Sequence, residues 1–208
     1  MLKESDLKIF ETIHRFPFCT VEALASFLNM SKIGLYRNVR HLAESGYLNY
    51  EYKLYNTPKS CQLTHKAFCL IEDKNIPLRR SSNLNEFNHD LKVLEVAQCL
   101  HKLGLIFQTE REYKNSHAAD EFCPDLVTET DGGIVFIEIE LTRKREKQLL
   151  ARWDDYLSKN VDVIYFANDS VYFTYTELVK NHGFSNIDIH QYSKHLQAIG
   201  GVLKNRAQ

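Results

Sequence analysis

The residues of this chain best suited to chemistry are three carboxylates. Asp125 follows Pro124, and Glu138-Ile139-Glu140 stands thirteen residues further on. The triplet closes an apolar run, Ile134-Val135-Phe136-Ile137, that reads as a strand. Residues two apart in a strand share a face, so Glu138 and Glu140 emerge on the same side of the sheet. Asp125 enters a neighbouring strand ahead of the hairpin turn Asp131-Gly132-Gly133 and can supply a third oxygen. Carboxylates on an apolar strand are costly unless a cation or a proton compensates them. An oxygen-only cluster of this kind suits Mg²⁺ or Mn²⁺, which would hold a scissile phosphate and polarise its oxygens. The competing reading makes Glu138 and Glu140 the exposed edge of a two-sided strand.

Basic residues can serve the same site. Arg143 and Lys144 open the run Arg143-Lys144-Arg145-Glu146-Lys147 directly after the strand, at the start of a helix expected over about Thr142–Ser158. A basic first turn opposes the helix dipole, which favours phosphate binding over a merely solvated helix start. Tyr113 and Tyr156 are candidates for covalent attachment to DNA among eleven tyrosines. A second basic cluster lies near the N-terminus, on a helix opening at Ser31 and running to about Ser45. Its expected buried stripe is Ile33, Tyr36, Val39, Leu42 and Ala43, leaving Lys32, Arg37, Arg40 and His41 mostly on the other side. Lys53 and Lys59 follow in a hairpin.

The elements that must hold these groups fall into two sets. Glu4–Arg15 carries Leu7, Phe10 and Ile13 on one helical face, and Pro17 stops it. Thr20 caps a second helix with Ala23, Leu24, Phe27 and Leu28 apolar. Gly46 ends the third helix, and strands Tyr47–Leu54 and Cys61–Leu63 follow, then a helix from His65 to Glu72 capped by Thr64. Residues 76–83, with a proline, two arginines and a Ser/Asn cluster, read as a linker. The domains are therefore 1–75 and 84–208. The second opens with a long helix from Leu84 to Leu103, ended by Gly104. Then come a strand at Leu105–Gln108, a charged run at 110–114, the hairpin, the helix to Ser158, a strand at Val161–Ala167 and a further apolar run at Val171–Tyr175. A short helix near Thr176–Asn181 and a strand near Ile187–His190 finish it. That is an α/β order around a central sheet.

Composition narrows the class. Among 208 residues, 44% are apolar and 25% charged, which argues against wholesale disorder. No apolar stretch approaches the length that spans a bilayer, and the N-terminus lacks a signal-peptide core. The five cysteines (Cys19, Cys61, Cys69, Cys99, Cys123) include no C-x-x-C pair, so reduced thiols and a cytoplasmic location are expected. Residues 1–80 hold 12 Lys and Arg against 8 Asp and Glu; residues 81–208 hold 14 against 19. A basic front joined to an acidic back fits a first module that meets a polyanion.

Three resemblances sharpen these expectations. Residues 1–73, through TVEALASFLNMSKIGLYRNVRHLAESGYL and YNTPKSCQLTHKAF, resemble bacterial winged helix-turn-helix DNA-binding domains. That resemblance implies a recognition helix presenting Lys32, Arg37 and Arg40 to the major groove, and a wing whose Lys53 and Lys59 reach phosphates. Residues 84–168, through P-D-(x12)-E-x-E and the order of elements, resemble the PD-(D/E)xK nuclease superfamily. With Glu138 aligned as the acidic ligand, Glu140 fills the superfamily's lysine position; with Glu140 aligned, Thr142 fills it. The whole, with FNHDLKVLEVAQCL and FIEIELTRKREK, resembles the MobC-like replication-relaxation group of plasmid mobilisation proteins. The resemblance implies a relaxase-type role in conjugation: double-stranded DNA recognised at an origin-of-transfer-like site and one strand nicked by a divalent-metal endonuclease. His89, Asp125, Glu138, Glu140 and Lys144 would be the catalytic residues, with Mg²⁺ or Mn²⁺ on the three carboxylates. Partners would be other mobilisation or replication proteins and a second copy of the chain. A histidine such as His89 on an otherwise apolar-faced helix is more often a hydrogen-bonded structural residue. The alternative function is a non-enzymatic DNA-binding regulator or accessory protein with a degenerate nuclease-like domain.

Overall fold

The computed structural model describes residues 2–52, 57–71, 84–117 and 122–195, with 199, 201 and 203. Over these described residues the fold is mixed α and β with two sheets. α1 (Glu4–Arg15) buries Ile9, Phe10 and Ile13, while Leu7 is turned further outward. β1 (Cys19–Thr20) leads into α2 (Val21–Phe27), and the Thr20 Oγ1 accepts the Ala23 N–H at 3.1 Å. That cap satisfies one of the amides a helix start leaves unpaired. α3 (Lys32–Glu44) is capped likewise by Ser31, whose hydroxyl accepts the Gly34 N–H at 3.3 Å. Gly46 then turns the chain at φ +75°, where any other residue is strained.

The buried stripe of α3 differs from the expected one. Leu35, Val39 and Leu42 are buried, whereas Ile33 is 71% and Tyr36 39% exposed. At 100° per residue, positions 35, 39 and 42 fall within one arc and position 33 lies opposite it. The i, i+3 spacing of Ile33 and Tyr36 therefore marks the outer face. β2 (Leu48–Glu51) and β3 (Ser60–Leu63) form the hairpin, and β1 pairs with β3 to give an antiparallel sheet in the order β1-β3-β2. A two-residue strand such as β1 has no periodicity to read. α4 (His65–Phe68) follows its Thr64 cap.

Two compact units divide the chain, Met1–Gln98 and Cys99–Gln208. The division falls inside α5 (Leu84–Lys102), beyond the expected linker at 76–83, which lies outside the described residues. Most of α5 thus belongs to the first unit, where the Phe87 ring meets Phe18 edge-on at 5.4 Å.

The second unit is built on a five-stranded sheet. It contains β4 (Phe107–Thr109), α6 (Glu110–Ser116), β5 (Leu126–Thr130), β6 (Gly133–Glu140), α7 (Glu146–Ser158), β7 (Asp162–Ala167), α8 (Asp169–His182), β8 (Ile187–Gln191) and α9 (Tyr192–His195). Strand order follows chain order; β4, β5 and β6 pair antiparallel, then β6, β7 and β8 pair parallel across α7 and α8. Four elements depart from expectation, one of them α9, which falls where none is expected. α6 occupies the charged run, held by a capping box in which Thr109 and Glu112 satisfy each other's amides. α7 starts at Glu146, so Arg143, Lys144 and Arg145 precede the helix. α8 is one helix across the expected apolar run and short helix, because Val171 and Tyr175 lie one turn apart on its buried face.

One face of this sheet carries an aromatic core. Trp153 of α7 meets Tyr165, Tyr175 and Phe184 edge-on at 6.1, 5.9 and 5.3 Å. Phe136, Leu149, Tyr156 and Val163 also belong to it. None of the five cysteines is in a disulfide. No helix among the described residues is long and apolar enough to cross a membrane.

Candidate functional site

The carboxylates lie at the C-terminal end of β6. Its pairing with β5 ends at Leu126 opposite Ile137, and continuing that register by one residue sets Asp125 opposite Glu138. Asp125 Oδ2 accepts the Ile139 N–H at 2.7 Å, which fixes the carboxylate against the strand. Phe136, Glu138 and Glu140 alternate onto the same face, and Phe136 belongs to the aromatic core. Glu138 and Glu140 are 2% and 4% exposed, so neither stands at an exposed strand edge.

Burial of that depth requires partners, and α7 supplies two. Arg152 Nη1 donates to Glu138 Oε1 at 2.9 Å, and the Tyr156 hydroxyl donates to the same oxygen. Arg152 and Tyr156 are four apart, hence on one helical face. Lys144 Nζ pairs with Glu140 Oε2 at 2.6 Å, while the Lys144 N–H donates to the Tyr175 hydroxyl at 3.2 Å. The segment before α7 is thus tied down at both ends of one lysine.

Electrostatics follow from this packing. Burial, and then the Asp125 charge, push the Glu138 carboxyl up to about 7 against the pull of Arg152, Lys144 and the Tyr156 hydrogen bond. Tyr156 and Tyr165 are both driven well above the ordinary phenol range, by burial and then by the Glu138 charge. Burial, and then Glu140, raise Tyr175 to about 12. Tyr156 is fully buried as well as protonated, so it is not presented for covalent attachment to DNA. Tyr113 is also buried, stacked on His117 at 4.1 Å.

Among the described residues, no group of three or more His, Cys, Asp or Glu is arranged to hold a metal ion. The donor set gives the reason. Glu138 is engaged by Arg152 and Tyr156, Glu140 by Lys144, and Asp125 by the Ile139 amide. Two protein cations fill the compensating role that the sequence alone suggested for Mg²⁺ or Mn²⁺. As arranged, the three carboxylates do not fit a divalent ion, and no step is derived through one. His89 sits half-buried on α5 within the first unit, whereas the carboxylates belong to the second. The cation expected from the helix after the strand is Lys144, which lies instead in the segment before α7. The sequence reading omits Arg152 and gives Tyr156 to covalent attachment rather than to Glu138; the signal for both was their four-residue spacing beside a strand with uncompensated glutamates.

The other candidate surface is the outer face of α3. Lys32, Ile33, Tyr36, Arg37, Arg40 and His41 are all exposed there. Tyr36 is held in place: its hydroxyl donates to Glu22 Oε1 at 3.2 Å, and its ring meets Tyr50 edge-on at 6.4 Å. Lys59 is half-buried, with Nζ 5.1 Å from the ring centres of both Tyr50 and Tyr52, a cation–π arrangement that keeps the ammonium at the β2–β3 surface. Lys53 lies outside the described residues. No protein-family model, curated protein or solved structure matches the chain.

Proposed function

We propose that the chain is a duplex-DNA-binding protein of the accessory or regulatory kind. Its first unit acts as a winged helix-turn-helix with α3 in the major groove, and its second unit is a nuclease-like domain whose acidic centre is internally compensated. The observation that carries the reading is the outer face of α3. Three basic side chains, Arg37, Arg40 and His41, share that face, Lys32 is exposed in the first turn, and no acidic residue precedes Glu44 on the helix. A helix of about 10–12 Å diameter fits the major groove, and basic side chains on its exposed face meet phosphates and base edges. The order of three helices, then a hairpin bearing Lys59, supports the winged form. The antiparallel-then-parallel strand order, with Asp125 and Glu138 in register at one strand end, supports a nuclease-like second unit. A role at a plasmid mobilisation site, with a relaxase or replication protein as partner, is the setting we infer from the sequence resemblance.

Binding of the full chain to duplex DNA over a range of salt tests the reading. Affinity should fall with salt, because phosphate contacts release counterions. Arg37→Ala with Arg40→Ala should weaken binding or flatten the salt dependence; unchanged affinity and slope sink the proposal. The same protein incubated with supercoiled DNA and Mg²⁺ or Mn²⁺ should leave it intact. Metal-dependent nicking would replace the accessory reading with an endonuclease.

A further inference from the structure

We propose that Ile33 reads the 5-methyl group of thymine, so that the DNA site holds an A·T pair opposite the first turn of α3. The inference rests on the duplex-DNA reading above and names what that surface selects.

Ile33 is 71% exposed, the most exposed large apolar side chain described in the first unit. Ile33 stands on the outer side of the helix, opposite the fully buried Leu35. Ile33, Tyr36, Arg37 and Arg40 stand at i, i+3, i+4 and i+7, a continuous stripe on one helical face. Two large apolar bodies therefore sit inside a basic field rather than at its margin. The stripe is also stiff. Isoleucine is branched at Cβ and restricted at χ1 in a helix, and Tyr36 is pinned by Glu22 and Tyr50. Gly34 beside Ile33 adds no side chain, so the first turn can approach a surface closely.

Charge complementarity selects the occupant. The cations that flank Ile33 favour a polyanion, and a partner that also covers Ile33 offers an apolar group of methyl size among its polar atoms. The major groove has such a group, the C5-methyl of thymine, lying beside acceptors that arginine can reach. A protein partner would instead need an acidic face with its own apolar knob.

The full chain should first be used to select its duplex from a random pool. Each thymine of the selected site is then replaced in turn by deoxyuridine, which lacks only the methyl group. One replacement should weaken binding about fourfold, the value of one buried methylene at about 0.8 kcal/mol. The chain with Ile33→Ala should bind the thymine and deoxyuridine forms equally. Since Ile33 is exposed, that variant should fold as the parent does, with an unchanged far-ultraviolet spectrum. Selection of a duplex in which no thymine methyl matters overturns this inference and leaves the DNA-binding reading standing. So does an Ile33→Ala chain that still discriminates, and in either case the apolar pair would be free to meet a protein. Failure to select any duplex overturns both.

Discussion

The exposed stripe of α3 and the buried end of β6 treat charge in opposite ways. On α3, Lys32, Arg37 and Arg40 point into solvent, where charge is cheap to keep and nearly worthless for folding. On β6, Glu138 and Glu140 are buried, and each is answered by a cation from its own unit, Arg152 or Lys144. Outward charges left unanswered by the fold are available to a partner; inward charges answered by the fold are not. The contrast is why the DNA reading rests on the first unit although the second holds the more suggestive sequence motif.

The contrast breaks most visibly at Arg152. Replacing it by Met leaves Glu138 buried beside Asp125 with a hydroxyl donor but no adjacent guanidinium. Removing one partner of a buried pair costs about 3–5 kcal/mol. Trp153 is the only tryptophan and is buried in this core, so its fluorescence reports unfolding of the second unit. A loss under about 1 kcal/mol would mean that Arg152 is not what makes the burial tolerable.

Next in size is a pH effect. Glu138 is raised from 4.5 to about 7 in the folded chain, mainly by burial and then by Asp125. Below about 4.5 it is protonated folded or unfolded and carries no penalty. Above about 7 it is charged in both states, and the folded state bears the whole cost of the buried charge. Stability should therefore fall as pH rises from 4.5 to 7, by on the order of 3 kcal/mol at most. Glu138→Gln removes the titration, so its stability relative to the parent should climb across that window whatever its offset at low pH. A parallel pair of profiles would refute the shift.

On α3 the expectation is reversed. Arg37→Ala with Arg40→Ala should cost about 1–3 kcal/mol of DNA affinity per lost base contact while changing stability by no more than about 0.5 kcal/mol. A large loss of stability would show that these side chains serve the fold after all.

Legibility in the sequence tracked how local each signal was. Thr20, Ser31 and Thr64 marked helix starts because a cap acts over three residues, and all three accept the expected amide. Asp131-Gly132 marked the β5–β6 turn for the same reason. Glu138 and Glu140 were correctly read as sharing a face, since strand alternation is purely local. What covers that face was not legible, because Arg152 reaches Glu138 only after α7 has packed back on the sheet. The outer and inner faces of α3 were exchanged in part because Ile33 and Tyr36 look like core by composition. Composition does not say which of two apolar rows is the buried one; Leu35 does, through its spacing to Val39 and Leu42. Thr109-x-x-Glu112 was a readable capping box, and reading it would have found α6.

The smallest effect compares the two units through matched helix starts. Thr20 caps α2 in the first unit and Thr109 caps α6 in the second, each by accepting an amide hydrogen through its hydroxyl. Replacing either by Ala should cost about 1 kcal/mol, the usual value of a side-chain cap. Thr109→Ala should cost slightly more, because Glu112 also loses the hydroxyl it accepts from at 3.0 Å. The two should differ in what they move. Thr109→Ala lowers the midpoint seen by Trp153 fluorescence in the second unit. Thr20→Ala should leave that midpoint in place and shift only the part of the far-ultraviolet transition that belongs to the first unit. The basis is that α2 and Trp153 belong to different compact units, and losses at distant sites that share no partners act independently. If Thr20→Ala moves the Trp153 midpoint as far as Thr109→Ala does, the units unfold as one. The charge contrast between them would then be a division of surface within a single cooperative structure.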